Sequence, residues 1–201
     1  MYNEYSGVLG AARRLYFRKV AGYFKKGAKV LDVGSGQGDF LSECKKAEIS
    51  AEGIDFDKKW IGYCKKKGLK VSPGNAESLS FKDNSFDVVF CQSVIEHLDD
   101  PQKAISEFRR TLKPGGLAIV SAPTPGPYFW DDPTHKRPYT PKALKTLLET
   151  SGFKRVRCTY VLFFLLGLWY DGSFVYRLLN MFQFSLGSNL ICIGSKGAES
   201  E

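Results

Sequence analysis

The run Val30-Leu31-Asp32-Val33-Gly34-Ser35-Gly36-Gln37-Gly38-Asp39-Phe40 restricts this chain more than any other stretch. An apolar segment carrying one aspartate leads into glycines at 34, 36 and 38, so a buried strand ends in a turn with no side chains in the way. Apolar positions recur at helical spacing from Phe40 to Ala47, so that turn opens a helix. A ligand can lie directly on such a loop, with the N–H groups of a helix start facing it. The spacing of the glycines discriminates among ligands. A dinucleotide fold prefers G-x-G-x-x-G, which leaves room for a pyrophosphate. Here the pattern is G-x-G-x-G, with an aspartate two residues before the first glycine.

Four more motifs follow in order. Glu52-Gly53-Ile54-Asp55-Phe56-Asp57 is a short strand ending in acid, about twenty residues after the glycine loop, where nucleoside-binding folds place an acceptor for ribose hydroxyls. Asp57 stands where the next helix needs a cap. Gly74 to Phe81 (Gly-Asn-Ala-Glu-Ser-Leu-Ser-Phe) is the third motif. In the fourth, Ser85 to Leu98, the apolar run Phe86–Phe90 suits a strand buried on both faces, with Cys91 and Gln92 at its ligand-facing carboxyl end. The fifth, Leu112 to Ser121, reads as the end of a helix, a Pro-Gly-Gly turn and a fifth strand. Together the five motifs resemble those of class I, Rossmann-like S-adenosylmethionine (SAM) dependent methyltransferases, specifically the small-molecule type 11 group.

That resemblance implies an α/β fold, a three-layer Rossmann-like sandwich around a mostly parallel seven-stranded sheet with an antiparallel last strand. It implies SAM as cofactor and S-adenosylhomocysteine as product. Asp32 with Gly34, Gly36 and Gly38 would hold the methionine end, Asp55 the ribose, and Phe56 would lie against the adenine. Asn75, Ala76 and Glu77 would surround the adenine, and Cys91 and Gln92 would border the cofactor. Relatives carry aspartate where this chain has Asn75, whose amide oxygen still accepts from an exocyclic amine. Quinone-pathway relatives with the pattern E-x-x-E-H bind a divalent ion; this chain has Ser93, Glu96 and His97 at those positions, so no metal is expected.

The bulk numbers agree with a single domain. The chain has 201 residues, 43% hydrophobic and 25% charged, enough for a full core. We expect one domain over 1–195, with an N-terminal helical cap at about 5–26, substrate covers at 123–141 and 163–184, and a structureless polar tail at 196–201. Cys44, Cys64, Cys91, Cys158 and Cys192 are odd in number and lack C-x-x-C spacing, which argues against disulfides and for a reducing cytoplasm. The first residues lack the apolar core of a signal peptide. The net charge of +8 invites a nucleic-acid partner, but Lys58, Lys59, Lys65, Lys66 and Lys67 fall on one solvated helix face and no nucleic-acid module follows. A phosphate-bearing substrate or an anionic membrane surface suits the charge equally.

The flanks carry the substrate readings. Arg14 or Arg18 on the N-terminal helix could reach the SAM carboxylate, as in relatives. The proline-rich stretch Pro123–Pro141 is a loop beside the methyl-donor end, and Tyr128, Trp130, Asp132, Arg137 and Tyr139 are its substrate-binding candidates. Its Asp-Pro-Thr-His segment resembles methyltransferases of polysaccharide and sugar-lipid assembly and, more loosely, of the ubiquinone pathway. Thr140 caps the following helix. A hydroxyl acceptor needs its proton removed, and His135 is the candidate base, with Asp131 or Asp132 in reserve. The apolar stretch 160–182 is too short in its first run to span a bilayer and suits a substrate cover, a homodimer contact or peripheral membrane contact. The resulting reading is methyl transfer from SAM to a small-molecule or lipid-linked acceptor, at a hydroxyl. Two alternatives stand beside it: C-methylation of a quinone-like ring in a pocket lined by Trp130, Phe163 and Trp169, and a non-catalytic SAM-binding scaffold.

Overall fold

The computed structural model describes residues 16–18, 20–21, 24–162 and 188–198. Among these, seven strands form one sheet: β1 (Lys29–Val33), β2 (Ser50–Asp55), β3 (Val71–Pro73), β4 (Phe86–Gln92), β5 (Leu112–Pro123), β6 (Lys154–Leu162) and β7 (Ser188–Ser195). The order is β3-β2-β1-β4-β5-β7-β6, and β7 runs antiparallel to both of its neighbours. This is the expected sheet. Strand order reverses beside β1, so the carboxyl ends of β1 and β4 flank a crevice that can hold a ligand.

Alternation along the strands explains the layers. Val30, Val88, Phe90, Ile119 and Ile191 face one side, where they meet Phe40 and Cys44 of α1 (Asp39–Lys46) and the helical residues Tyr16, Phe17, Val20 and Ala21. Leu31, Val89, Cys91, Ala118 and Val120 face the other, against Ile105 and Phe108 of α3 (Pro101–Thr111) and Leu144 and Leu148 of α4 (Pro141–Thr150). Helices on both faces let the central strands be apolar throughout. Between β2 and β3, α2 (Lys58–Lys66) buries Ile61 and Cys64 and turns its lysines to solvent.

Side-chain caps start three of the helices. Asp57 Oδ1 accepts from the Lys59 N–H at 2.8 Å, Asp100 Oδ1 from Lys103 at 2.9 Å and Thr140 Oγ1 from Ala143 at 3.2 Å. Pro101 and Pro141 follow their caps at the first helical position, where a missing N–H costs nothing.

The structure departs from the sequence reading in several places. Leu112 already pairs with Phe86, so Lys113–Gly116 is a bulge inside β5 rather than a turn before it; Gly115, at φ +76°, makes that bulge possible. The pairing of β7 continues through Lys196, whose N–H donates to Gly116 and whose carbonyl accepts from Gly115, so the tail is structured at its start. The loop after β5 contains a short 3-10 turn at Pro127–Asp131. Residues 163–184, with Phe163 and Trp169, lie outside the described residues, as does nearly all of the 160–182 stretch. Among the described residues, no helix is long and apolar enough to cross a membrane.

The cysteines also differ from expectation. Cys158 on β6 stands opposite Cys192 on β7, with Cα atoms 4.1 Å apart, and the two are joined in a disulfide. Linear spacing could not show this, because the pairing comes from antiparallel register. It also removes the sequence argument for a reducing compartment. Cys44, Cys64 and Cys91 are free and buried. Titration of the urea-unfolded, unreduced chain with a thiol reagent should therefore find three of the five cysteines, and all five after reduction. Five before reduction would mean that the strands pair without the bridge.

Candidate functional site

The glycine loop is tied to the end of β2. The N–H groups of Gly34 and Ser35 both donate to the Ile54 carbonyl, at 2.9 and 3.0 Å, and Gly36 donates to Asp55 Oδ2 at 2.8 Å. Gly38 donates to the Ser35 carbonyl at 2.8 Å. These four donors, all ahead of the first residue of α1, are engaged inside the protein. A pyrophosphate would need them free. The loop instead suits a ligand whose end near it is cationic.

Its glycines have separate reasons. At Gly34 a Cβ would collide with a methyl of Val94, and at Gly38 (φ +74°) it would lie 2.5 Å from Leu69 Cδ1 and 2.8 Å from Cys64 Sγ. At Gly36 (φ +48°) a Cβ would meet nothing within 4 Å among the described residues. Gly34 and Gly38 thus serve packing, and Gly36 borders open space. Asp32, one residue before the end of β1, is buried. Asp55 is buried too; Oδ1 accepts from the Asp57 N–H at 2.9 Å, and each of its oxygens retains a further acceptor site. Phe56 next to it is 89% exposed, a flat apolar face presented to solvent.

Other predicted residues have structural duties. Asn75 Oδ1 accepts from the Glu77 N–H at 2.9 Å, closing a local turn, and Ala76 packs its side chain into the core. Glu77 Oε1 accepts from the N–H groups of Asp99 and Asp100, both at 3.0 Å, so it ties this turn to the start of α3 rather than facing a ligand. The Cys91 side chain is fully buried in the core, which pushes its thiol far above the usual range. Gln92 is half-buried, with Oε1 unpartnered among the described residues. Arg18 lies 3.6 Å from the buried Glu43 carboxylate, an ion pair on the outer side of α1 rather than a cation for a ligand; Arg14 is outside the described residues.

A second cluster forms where the turn after β4 meets the loop after β5. Ser93 adopts φ +52°, a left-handed conformation that reverses the chain before the 3-10 turn Ile95–His97. Glu96 is thereby fully buried, and neither carboxylate oxygen has a hydrogen-bond partner among the described residues. His97 and His135 lie beside it with ring centroids 4.8 Å apart.

Their tautomers follow from their partners. His135 Nδ1 is 2.6 Å from the Phe129 carbonyl, which can only accept, so Nδ1 carries the proton. Thr134 donates its hydroxyl to Asp132 Oδ1 at 2.6 Å, so His97 Nδ1 donates to Thr134, at 2.9 Å to Oγ1 and 3.2 Å to the carbonyl. Each Nε2 is left as an unprotonated lone pair, His97 Nε2 lying 3.9 Å from Glu96 Oε1 and His135 Nε2 3.9 Å from Asp132 Oδ2. Burial raises the Glu96 carboxyl to about 8, helped by the nearby Asp132 charge, and burial lowers His97.

The substrate candidates divide. Trp130 is 62% exposed, standing edge-on to the buried Phe129, which in turn stacks on His135 at 4.4 Å. Asp132 accepts both Thr134 donors, which hold its carboxyl below the usual range, so it builds the turn that presents His135. Arg137 donates to the Asp99 carbonyl at 3.1 Å. Tyr139 is buried, which pushes its hydroxyl up to about 12. The side chain of Tyr128 lies outside the described residues. A polar cleft of about 520 Å³ elsewhere, lined by Arg109, Arg110, Lys154 and Lys196, sits at the opposite end of the sheet. Arg110 there is already paired with Glu107 and Asp83.

Sequence reasoning weighed Glu96 and His97 as part of the E-x-x-E-H pattern and set them aside because Ser93 stands at the first position; it did not bring them together with His135.

Comparisons with known proteins bear on the whole arrangement. Residues 31–120 match the family described as a methyltransferase domain. The chain is 35% identical over 138 residues to the "Probable S-adenosylmethionine-dependent methyltransferase" of Mycolicibacterium smegmatis, covering 64% of this chain and 52% of that protein. It is 34% identical over 107 residues to the demethylmenaquinone methyltransferase of Renibacterium salmoninarum, covering 51% and 45%. The chain thus spans about half the length of these curated relatives. In structure it is similar to a SAM-dependent methyltransferase from Archaeoglobus fulgidus, with TM-score 0.75, 28% identity and coverage of 92% and 93%.

Two stability experiments follow. Gly38→Ala should cost about 2 kcal/mol or more in urea unfolding, because Cys64 must yield as well as the backbone. Gly36→Ala should cost about 1 kcal/mol, from its left-handed φ alone. Equal losses would remove the distinction. The second concerns Glu96, whose folded pKa of about 8 lies above the ordinary glutamate value of 4.5. The folded state therefore holds the proton more tightly, and the wild type loses stability as pH rises from about 4.5 to about 8. Of the other acids near it, Cys91 and Tyr139 stay neutral and Asp132 stays charged throughout that window. With chelator present, Glu96→Gln should match wild type near pH 5 and exceed it by a few kcal/mol at pH 8. A pH-independent difference would overturn this reading.

Proposed function

We propose, for a chain that carries a class I, Rossmann-like SAM-dependent methyltransferase domain of the type 11 group, methyl transfer from SAM to a hydroxyl oxygen of a small-molecule or lipid-linked acceptor. The site fits that cofactor. A loop whose N–H groups are engaged inward, with open space at the Gly36 Cα, suits the ammonium of the methionyl end. Asp32, near the end of β1, would hold the amino group, Asp55 the ribose hydroxyls through its remaining acceptor sites, and Phe56 the adenine. The main chain around Asn75 and Ala76 would border the adenine edge. When bound, SAM supplies a methyl group activated by its sulfonium; the protein's work is to align the acceptor and manage its proton.

The pair of imidazoles at the end of β4 carries the choice of oxygen. Both histidines have Nδ1 anchored and Nε2 bare. A neutral imidazole with a fixed tautomer is suited to accept a hydroxyl proton near neutral pH. His135 is the base in this reading, with the O–H electron pair left on oxygen to attack the methyl carbon. It sits on the loop that also presents Trp130, whose exposed ring would cover the acceptor. The similarity to demethylmenaquinone methyltransferases favours a second reading, methylation of a quinone-like ring.

Calorimetric titration with S-adenosylhomocysteine tests the cofactor half. Phe56→Ala should leave unfolding free energy within about 0.5 kcal/mol, since the ring is exposed. It should weaken binding by roughly 1–3 kcal/mol, the worth of stacking a base on an aromatic. Unchanged affinity would remove Phe56 from the site. For the acceptor half, hydroxyl-bearing sugars, lipids and reduced quinones are screened with radiolabelled SAM, and His135→Ala should lower kcat by about 100-fold or more. Cofactor binding with no transfer to any acceptor would favour the scaffold reading.

A further inference from the structure

We propose that Glu96, His97 and His135 form a binding site for one borderline divalent cation of the zinc class. Their ligand atoms lie within 4.8 Å of one another. Three observations point to a cation. Each imidazole donates Nδ1–H to a fixed acceptor, Phe129 or Thr134, which is how metal-binding histidines are oriented with Nε2 toward the ion. Glu96 is fully buried with two oxygens lacking any partner among the described residues, a costly arrangement that a cation would complete. The donor set, two imidazoles and one carboxylate, suits zinc or cobalt rather than magnesium or calcium, which favour oxygen alone.

The geometry needs only a small closure. Tetrahedral zinc holds its ligand atoms about 3.5 Å apart, so the three must approach by about 1 Å. The His97 side chain is 32% exposed. Three protein ligands leave a fourth position for solvent or an acceptor oxygen, the arrangement of a catalytic zinc site rather than a structural one. The set is not the acid-acid-histidine pattern set aside on sequence. Ser93 takes no part, and the third ligand arrives from the loop after β5.

The role of the cation rests on the proposed hydroxyl acceptor. A hydroxyl in the fourth position would be acidified by the metal: its O–H bond breaks, the electron pair stays on oxygen, and the proton passes to solvent. The metal would then replace His135 as the means of activating the acceptor.

The test is a titration of the whole, chelator-stripped chain with Zn²⁺ and with Co²⁺, without cofactor or acceptor. One equivalent of Zn²⁺ should bind at micromolar Kd or tighter, and Co²⁺ should give the intense visible absorption of a four-coordinate site, displaced by Zn²⁺. His97→Ala, His135→Ala and Glu96→Gln should each weaken Zn²⁺ binding by about 10-fold or more, and Ser93→Ala should not. Should His135→Ala fail to fold, His97→Gln carries the same expectation. No saturable binding below about 100 μM, or binding that survives the double substitution of His97 and His135 in folded protein, overturns the site. Methyl transfer that depends on His135 without any metal binding would sink this inference and leave the proposed function standing. Metal binding without transfer would do the reverse.

Discussion

The hydrogen bonds from Gly34, Ser35 and Gly36 to the end of β2 are the constraint on which the rest of the structure depends. They join the first two strands at their carboxyl ends and fix where α1 begins. By engaging the loop's donors they also decide what can bind there. A fold of this class with free donors at the first turn attracts phosphate; with those donors turned inward it presents bare backbone beside a buried carboxylate. The Asp55 carboxylate proposed for the ribose is also the acceptor that holds Gly36 in place.

The second organising feature is the burial of Glu96 without hydrogen-bond partners among the described residues. The left-handed Ser93 directs the chain inward, and the loop after β5 closes over it through His97–Thr134 and Lys136–Glu96 bonds. Two segments that are distant in sequence are thereby pinned together beside the carboxyl end of β4. The unpaired carboxyl weakens the fold locally, which is the usual relation between a reactive site and its scaffold. Phe129 stacked on His135 and Asp132 bonded to Thr134 show that the loop is built to hold the histidine rather than to leave it mobile.

Residues expected at the ligand divide by what their side chains reach. Gly36 borders open space among the described residues, Asp55 accepts from the Gly36 N–H, and Phe56 and Trp130 present exposed rings. Glu77, Cys91, Arg18 and Arg137 are engaged elsewhere, with backbone N–H groups, core packing, a buried glutamate and a carbonyl respectively. A motif reports which chain segment passes a ligand. It does not report which side chain on that segment points there.

The mostly parallel seven-stranded sheet with its antiparallel last strand, and the cofactor class, were legible in the sequence through the resemblance of five short motifs, because glycine spacing, apolar runs and capping residues act over a few positions; the order of the strands was not. Asp57 and Thr140 cap the helices they precede for that local reason. Three features were decided only by tertiary structure. The Cys158–Cys192 bridge depends on the register of β6 with β7, across a separation of 34 residues. The inward direction of the glycine loop's donors depends on where β2 ends in space. The meeting of Glu96 and His97 with His135 depends on two segments converging at the carboxyl ends of the central strands β4 and β5, and no spacing rule links positions held together only by the packing of the strands between them.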